Sequence, residues 1–173
     1  MIGLDHRLER WVVDHRAEPV NTFFVGLSHI GSFGIVWLTL AVLAVFVLRE
    51  PLVFPMIVIA YFATAAALDG IKLAVGRERP VDHPLVPEPT SDSFPSGHAA
   101  TSFACAATLA MFLPRKAAVL YVLAALIAYS RVYVGVHYPL DVLAGAALGL
   151  LVATALRLLL TVLRRSRPAR LPG

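Results

Sequence analysis

The sequence predicts an all-α membrane protein, a multi-pass transmembrane helical bundle of about five spans with an N-terminal amphipathic helix. Two observations support this prediction. Hydrophobic residues make up 58% of the 173 residues, and the mean hydropathy is +0.76, which exceeds the usual apolar share of soluble domains. The apolar residues are also grouped into long segments separated by short polar stretches. The length suits a single membrane-embedded domain covering residues 1–173.

Residues 1–19 are predicted to form an interfacial helix. Leu4, Leu8 and Trp11 recur at helical spacing and form one apolar face, with charged residues elsewhere. Such a helix can lie on the membrane with Trp11 at the level of the headgroups. An ordinary amphipathic helix packed on the bundle is the alternative. Pro19 is expected to end the helix. No apolar run typical of a cleavable signal peptide is present here, so the spans are expected to direct membrane targeting.

Five apolar segments then predict a helical core over residues 33–163. They cover residues 33–48, 52–75, 96–113, 117–130 and 139–163. The first is short against the roughly 20 residues that a bilayer requires. A polar loop at residues 77–95 is rich in proline and acidic residues and is expected outside the bilayer. Residues 164–173 form a basic tail.

The positive charge of the chain does not indicate a nucleic-acid partner. The net charge is +4 and the pI is near 9.6, but the basic residues lie beside apolar segments or in short polar motifs, not in a polar basic domain. A membrane surface is the better explanation. The single cysteine, Cys105, lies in an apolar segment, cannot form an internal disulfide, and is interpreted as a small core residue.

Three short polar motifs interrupt the apolar sequence between residues 72 and 141. They read Lys-Leu-Ala-Val-Gly-Arg-Glu-Arg-Pro at 72–80, Pro-Ser-Gly-His at 95–98, and Ser-Arg-Val-Tyr-Val-Gly-Val-His-Tyr-Pro-Leu-Asp at 130–141. Ionisable groups in or beside a membrane are costly, so such a set indicates a functional site. The lysine and arginines match a phosphate. One histidine can attack the phosphate and the other can protonate the group that leaves.

Written as K-x6-R-P, P-S-G-H and S-R-x5-H-x3-D, the motifs resemble the three-part signature of the phosphatidic acid phosphatase type 2 superfamily, which also includes vanadium haloperoxidases. Three linked motifs are far more specific than a lone Pro-Ser-Gly-His. The resemblance implies that His137 forms a phosphohistidine intermediate and that His98 is the general acid. Asp141, four residues after His137, can accept a hydrogen bond from the imidazole and so orient the ring.

The remaining candidate site residues are predicted to bind phosphate. Cationic side chains neutralise the non-bridging oxygens, and main-chain N–H groups at a helix start bind anions. These residues are Lys72, Arg79, Ser96, Gly97 and Arg131. Three expectations concern single positions nearby: Ser96 also suits the N-cap of the third span, Arg77 adds phosphate affinity, and Asp69 pairs with Lys72 at i, i+3.

No metal and no cofactor is predicted. Two histidines and an aspartate are able to hold a metal, but the sequence has no His-Glu-x-x-His motif and no cysteine cluster. The neighbouring cations would repel a divalent ion. Hydrolysis is therefore expected to be metal-independent.

The charge pattern also predicts an orientation in the cell membrane. Alternating passes place loops 77–95 and 131–139 on one side, so the three motifs meet there. Most other basic residues fall on the opposite side, namely Arg49, Arg115, Lys116, Arg164, Arg165, Arg167 and Arg170. The positive-inside rule makes that side, with the C-terminus, cytoplasmic and the site extracytoplasmic. Arg7, Arg10 and Arg16 do not follow this pattern.

The resemblance implies an integral membrane lipid phosphatase whose partners are the bilayer and a lipid phosphate. By analogy with bacterial members, undecaprenyl diphosphate or another isoprenoid diphosphate is the first choice of substrate. Phosphatidylglycerol phosphate and phosphatidic acid are alternatives, and a phosphotransferase is able to use the same phosphohistidine. Two other classes are disfavoured: a soluble haloperoxidase by the apolar spans, and a non-catalytic lipid-binding or transport protein by the complete motif set.

Overall fold

The structure, a computed structural model, describes residues 2–81 and 83–165. These residues form seven α-helices and two short 3₁₀ turns, with no β-strand among them. The helices are α1 (Ile2–Asp14), α2 (Glu18–Ile30), α3 (Ile35–Leu48), α4 (Val53–Val75), α5 (Gly97–Phe112), α6 (Ala117–Tyr133) and α7 (Pro139–Arg165), and the turns are Ser32–Gly34 and Pro114–Lys116. The all-α prediction is confirmed.

Helix α5 lies at the centre of the bundle and packs against α4, α6 and α7. It is rich in alanine, and most of its residues are buried. Small side chains let neighbouring helices approach closely. Larger side chains from the surrounding helices, including Trp37, Ile57 and Ile127, fill the core around Cys105 and Leu109 of α5.

Two glycines set the contact between α5 and α7. A Cβ atom on Gly145 would meet the carbonyl oxygen of Ser96, and one on Gly149 would meet the carbonyl oxygen of Ala100. The backbones therefore approach closely only because both positions lack a side chain. This contact aligns the first turns of the two helices, and the Ser96 N–H donates to the Asp141 carbonyl oxygen at 2.9 Å.

In the described part of the chain, three helical segments are long and apolar enough to span a membrane: α4, residues Pro114–Tyr133, and α7. Helices α2 and α3 are a fourth candidate if they form one span, and they are bent by 65° relative to each other. Helix α5 has 16 residues and is about 24 Å long, less than the roughly 30 Å of a bilayer core. The chain thus has several apolar candidate spans, and the number of five stays a prediction.

The limits of α1, α6 and α7 differ from the predicted ones. Helix α1 ends at Asp14, and Pro19 lies in the first turn of α2, where its missing N–H has no helical partner. Helix α6 continues through Tyr133 and α7 through Arg165, beyond the predicted limits of residues 130 and 163. The predicted basic tail therefore begins inside α7, and its part beyond residue 165 lies outside the described residues.

Helix α1 turns two acidic side chains toward the bundle, while Arg7 and Arg10 are exposed. Asp5 and Glu9 are each 2% exposed, whereas Leu4, Leu8 and Trp11 are 54%, 46% and 59% exposed. Leu8 and Trp11 line an open groove together with Tyr129 and Leu143 of the bundle, so both alternatives for this helix stay predictions. A location on the membrane surface stays a prediction, and it requires an outward apolar face of this kind.

The polar loop between α4 and α5 folds over one end of the bundle. Its described residues contain no helix. The Leu85 N–H donates to the Val134 carbonyl oxygen at 2.9 Å, and Val86 packs with Val134 and Val136. The loop therefore rests on the turn between α6 and α7, which brings the first and third sequence motifs together.

Candidate active site

The three motifs converge at the end of the bundle that this loop covers. Helices α4 and α6 end here, and α5 and α7 begin here. The predicted site residues at these helix ends and in the segments between them are Lys72, Arg79, Ser96, Gly97, His98, Arg131, His137 and Asp141. The start of a helix offers unpaired N–H groups and the positive end of the helix dipole, which favour an anion.

His137 is buried between Asp141 and Arg79. Its Nδ1 atom is 3.4 Å from Asp141 Oδ2, and its Nε2 atom is 3.0 Å from Arg79 Nη1. A guanidinium nitrogen only donates, so Nε2 accepts, and Nδ1 carries the proton that points to the carboxylate. Burial lowers the pKa of His137 to about 4, against the opposing hydrogen bond with Asp141. The ring is therefore neutral at neutral pH.

We expect the His137 ring to stay neutral at pH 6, where a histidine with the ordinary pKa of 6.5 is mostly protonated. Burial disfavours the charged imidazolium, so protonation follows only as the pH falls towards about 4. Nitrogen-15 NMR of histidine-labelled protein measures this, with His137→Gln to assign the signal. A His137 resonance that titrates near pH 6.5 contradicts the buried position.

Asp141 is fully buried and hydrogen-bonded through both carboxylate oxygens. Oδ2 accepts from the Tyr138 N–H at 2.9 Å and from the Ser93 hydroxyl, and Oδ1 accepts from Arg77 Nη1 at 2.6 Å. The Tyr138 contact satisfies an N–H group at the start of α7, as a helix cap does. Because both oxygens are engaged, the carboxylate is held in place behind His137.

Arg79 is buried, and main-chain oxygens hold its planar guanidinium. Nη1 donates to the Val136 oxygen at 2.8 Å, Nε to the Ser91 oxygen at 2.7 Å, and Nη2 to the Asp92 oxygen at 3.1 Å. Lys72 Nζ donates to the same Asp92 oxygen. The two cations of the first motif thus share an anchor in the loop, and Arg79 also contacts His137 Nε2 of the third motif.

Two buried polar groups of the site have hydrogen-bonding capacity left for a ligand. Arg131 Nη1 donates to the Ser28 hydroxyl, but nothing in the described residues accepts a hydrogen bond from Arg131 Nε. The Ser96 hydroxyl is also buried without a partner in this part of the chain, and it does not cap α5. Packing does not require glycine at Gly97, because a Cβ there would lie 3.7 Å from Leu68. Buried hydrogen-bond donors normally have partners, so we expect a bound anion to be the partner of these two groups.

His98 joins the same end of the bundle. Its Nε2 atom is 3.3 Å from the Ser32 hydroxyl, which donates to the Ser28 carbonyl oxygen at 3.1 Å. The positive charge of Arg131 acts on the His98 ring. The second motif therefore shares one electrostatic environment with the other two.

Two expectations about neighbouring residues are corrected by the structure. Arg77 donates from Nη2 to Asp5 Oδ2 at 2.7 Å and from Nη1 to Asp141 Oδ1 at 2.6 Å, so carboxylates occupy the groups expected to hold phosphate. Burial acts to lower the pKa of Arg77, but Asp5 and Asp141 outweigh it and raise that pKa. Asp69 is exposed, and Lys72 turns to the loop instead of pairing with it.

Several residues that support the site lie outside the three motifs. They are Asp5, Ser28, Ser32 and Ser93. The only signal in the sequence was the place of Asp5 on the charged face of α1, and such a face is usually solvated. Within residues 2–81 and 83–165, no three histidine, cysteine, aspartate or glutamate side chains are grouped so that they could hold a metal ion.

Comparison with known proteins gives a consistent result. The profile of the PAP2 superfamily matches residues 53–165. An undecaprenyl-diphosphatase from Sulfolobus acidocaldarius is 33% identical over 154 residues, which cover 86% of this chain and 74% of the relative. A decaprenylphosphoryl-5-phosphoribose phosphatase from Mycobacterium tuberculosis is 42% identical over 134 residues, covering 72% and 71%. The crystal structure of a PAP2-type phosphatidylglycerolphosphate phosphatase from Bacillus subtilis superposes with a TM-score of 0.78 and 27% identity, covering 95% of this chain and 88% of that one.

Proposed function

We propose, on the premise that the chain belongs to the PAP2 superfamily and is a membrane lipid phosphatase, that it works through a phosphohistidine on His137. The observation that carries this proposal is the position of His137 Nε2, 3.0 Å from Arg79 Nη1, with Asp141 behind Nδ1. A phosphate oxygen that binds Arg79 brings its phosphorus next to the nitrogen lone pair. Positioning of this kind is a large part of phosphoryl-transfer catalysis.

The first step forms one bond and breaks one. His137 Nε2 attacks phosphorus, the bond from phosphorus to the leaving oxygen breaks, and His98 gives that oxygen a proton. Asp141 stabilises the positive charge that develops on the imidazole of His137. The products of this step are the departed alcohol or phosphate and the phosphorylated enzyme.

The second step releases inorganic phosphate. Water attacks phosphorus, the phosphorus–nitrogen bond breaks, and His98 accepts the proton of the water. In both steps Lys72, Arg79 and Arg131 neutralise the non-bridging oxygens, and the Ser96 hydroxyl and the N–H groups at the start of α5 donate to them. These groups supply the charge stabilisation that a divalent cation gives in other phosphatases, so turnover without a metal is expected.

The substrate that we propose is an isoprenoid diphosphate, with undecaprenyl diphosphate as the first choice. The support is analogy: two similar proteins are named for phosphorylated prenyl chains. The likeness to a phosphatidylglycerolphosphate phosphatase supports the main alternative, phosphatidylglycerol phosphate. Phosphatidic acid and a phosphotransfer reaction are further alternatives that use the same His137 chemistry.

The charge pattern supports a site on the extracytoplasmic face. Arg49 follows α3 and Arg164 and Arg165 end α7, while Arg115 and Lys116 lie in the turn before α6. These helix ends are at the opposite end of the bundle from the three motifs. The positive-inside rule then puts the C-terminus in the cytoplasm.

Phosphate release by the purified enzyme tests the choice of substrate. We expect kcat/KM for a prenyl diphosphate to exceed that for phosphatidylglycerol phosphate and phosphatidic acid by about tenfold, or about 1.4 kcal/mol. Addition of EDTA should leave it unchanged. A higher value for phosphatidylglycerol phosphate favours that substrate instead. Phosphate release that occurs only with an acceptor lipid identifies a phosphotransferase.

A further inference from the structure

We propose that Asp5 of α1 is a positioning residue for the pair His137 and Asp141, and that it acts through Arg77. The inference rests on the proposed role of His137 as the nucleophile. It concerns a residue that is distant in sequence from the three motifs and lies outside residues 53–165, which match the family profile.

Both carboxylate oxygens of Asp5 contact groups next to the catalytic pair. Oδ2 accepts from Arg77 Nη2 at 2.7 Å, and Oδ1 accepts from the Leu140 N–H at 2.9 Å. The Asp5 side chain is 1% exposed, so these bonds are protected from competing water. Leu140 precedes Asp141 in the first turn of α7. The Asp5 side chain therefore holds the first turn of α7 in two ways, directly through the Leu140 N–H and indirectly through Arg77.

Arg77 transmits this contact to Asp141. Its two terminal nitrogens bind different carboxylates, Nη2 that of Asp5 and Nη1 that of Asp141 at 2.6 Å. A planar guanidinium fixed at one nitrogen is fixed in orientation at the other. If Asp5 is lost, Arg77 is free to turn, and it then pulls Asp141 Oδ1 out of its present position. Asp141 Oδ2 is the oxygen that faces His137 Nδ1.

A ring stack provides a second connection between α1 and the same turn. The guanidinium of Arg77 lies 4.2 Å from the centroid of the Tyr138 ring. The His6 ring stacks on Tyr138 with the centroids 4.3 Å apart and the planes 5° from parallel. His6 and Asp5 are neighbours on α1, so the helix contacts two residues, Tyr138 and Leu140, of the segment that joins His137 to Asp141. A displacement on the order of 1 Å in such a segment can cost roughly 10²-fold in rate.

The test compares Asp5→Asn with Asp14→Asn in the full-length membrane protein. Asp14 is on the same helix but exposed, so its variant controls for loss of a negative charge on α1. Rapid-quench kinetics with enzyme in excess give the rate of phosphoryl transfer, and thermal unfolding gives the folded fraction. For Asp5→Asn we expect the rate of phosphoryl transfer and kcat to fall roughly 10²-fold, with KM within about threefold and an unchanged folded fraction. Asp14→Asn should match the wild type.

Coupling through Arg77 is tested by a double-mutant cycle. If Asp5 acts through Arg77, adding Asp5→Asn to Arg77→Gln lowers kcat little further, because the path is already broken. Fully multiplicative losses contradict that path. Where Asp5→Asn does not fold, Arg77→Lys replaces it, since lysine keeps the charge but cannot bind both carboxylates in fixed directions. Arg77→Lys with wild-type kcat overturns the inference.

The outcome separates this inference from the proposed function. If His137→Ala retains turnover, the nucleophile is misassigned and the proposed function fails. If His137→Ala is inactive and Asp5→Asn has the kcat of Asp14→Asn, only the inference about Asp5 fails. A lower folded fraction in Asp5→Asn with an unchanged rate of phosphoryl transfer also overturns it, because Asp5 then serves folding alone.

Discussion

Replacement of His137 by alanine is expected to lower the rate of phosphate release from the lipid substrate by roughly 10⁴-fold or more. The reason is that the first step needs a bond between Nε2 and phosphorus, and no other described group occupies that position beside Arg79. Removal of a nucleophile costs on this order in enzymes that form covalent intermediates. Initial rates of phosphate release, with enzyme matched by mass and by thermal unfolding, give the measurement.

The phosphoenzyme itself provides a second readout for this prediction. Rapid quenching of the wild type with labelled substrate should trap a phosphoprotein that is labile in acid and stable in base. The His137→Ala variant should yield none. His15→Ala is the matched control, because His15 is an exposed histidine outside the three motifs, and we expect it to react as the wild type does. A labelled His137→Ala protein shows that another residue is the nucleophile.

Replacement of Gly149 by alanine is expected to lower the free energy of unfolding by about 3 kcal/mol. The new Cβ would meet the carbonyl oxygen of Ala100 and would lie 2.8 Å from the Ala104 nitrogen. These are backbone atoms in the middle of α5, which cannot move aside without displacing the helix. Overpacking of a filled site usually costs about 1–3 kcal/mol, and a backbone clash lies at the upper end. Valine at this position should prevent folding.

Thermal unfolding in micelles measures this effect, and Gly70→Ala is the control. Gly70 is also in a helix interior, but no described atom beyond its own neighbourhood lies within 4 Å of a Cβ placed there. Alanine at position 70 should therefore change stability by no more than about 1 kcal/mol, in the favourable direction. Equal unfolding temperatures for the two variants would show that α5 and α7 do not touch at Gly149.

The sequence predicted which motif residues lie together better than it predicted the residues that support them. The motif residues are informative because few side chains suit a phosphate, and the alternation of apolar segments places them at one end of a bundle. The hydrogen-bond partners of these residues lie in segments whose composition gives no sign of a functional role. Lys72 turns to a loop carbonyl and Arg77 to two carboxylates, and neither choice follows from local spacing, because each depends on where the loop folds in space.

The limits of the helices show a second reason why the sequence alone did not predict the whole structure. Pro19 is compatible with ending one helix or with starting the next, and only the packing of α2 against α6 decides between them. The sequence of α5 predicts an apolar membrane span, yet the helix is short and enclosed by other helices. Local composition cannot tell an apolar segment surrounded by protein from one surrounded by lipid.

The outward apolar face of α1 affects how the enzyme should be handled. Leu4, Leu8 and Trp11 are about half exposed, and Asp5 on the same helix bonds to Leu140, 135 residues further along the chain. Solubilisation replaces whatever surrounds those apolar side chains, while the inner core of alanine and glycine contacts is left intact. If Asp5 positions Asp141 as proposed, we therefore expect the choice of detergent and any fusion at the amino terminus to change catalytic geometry.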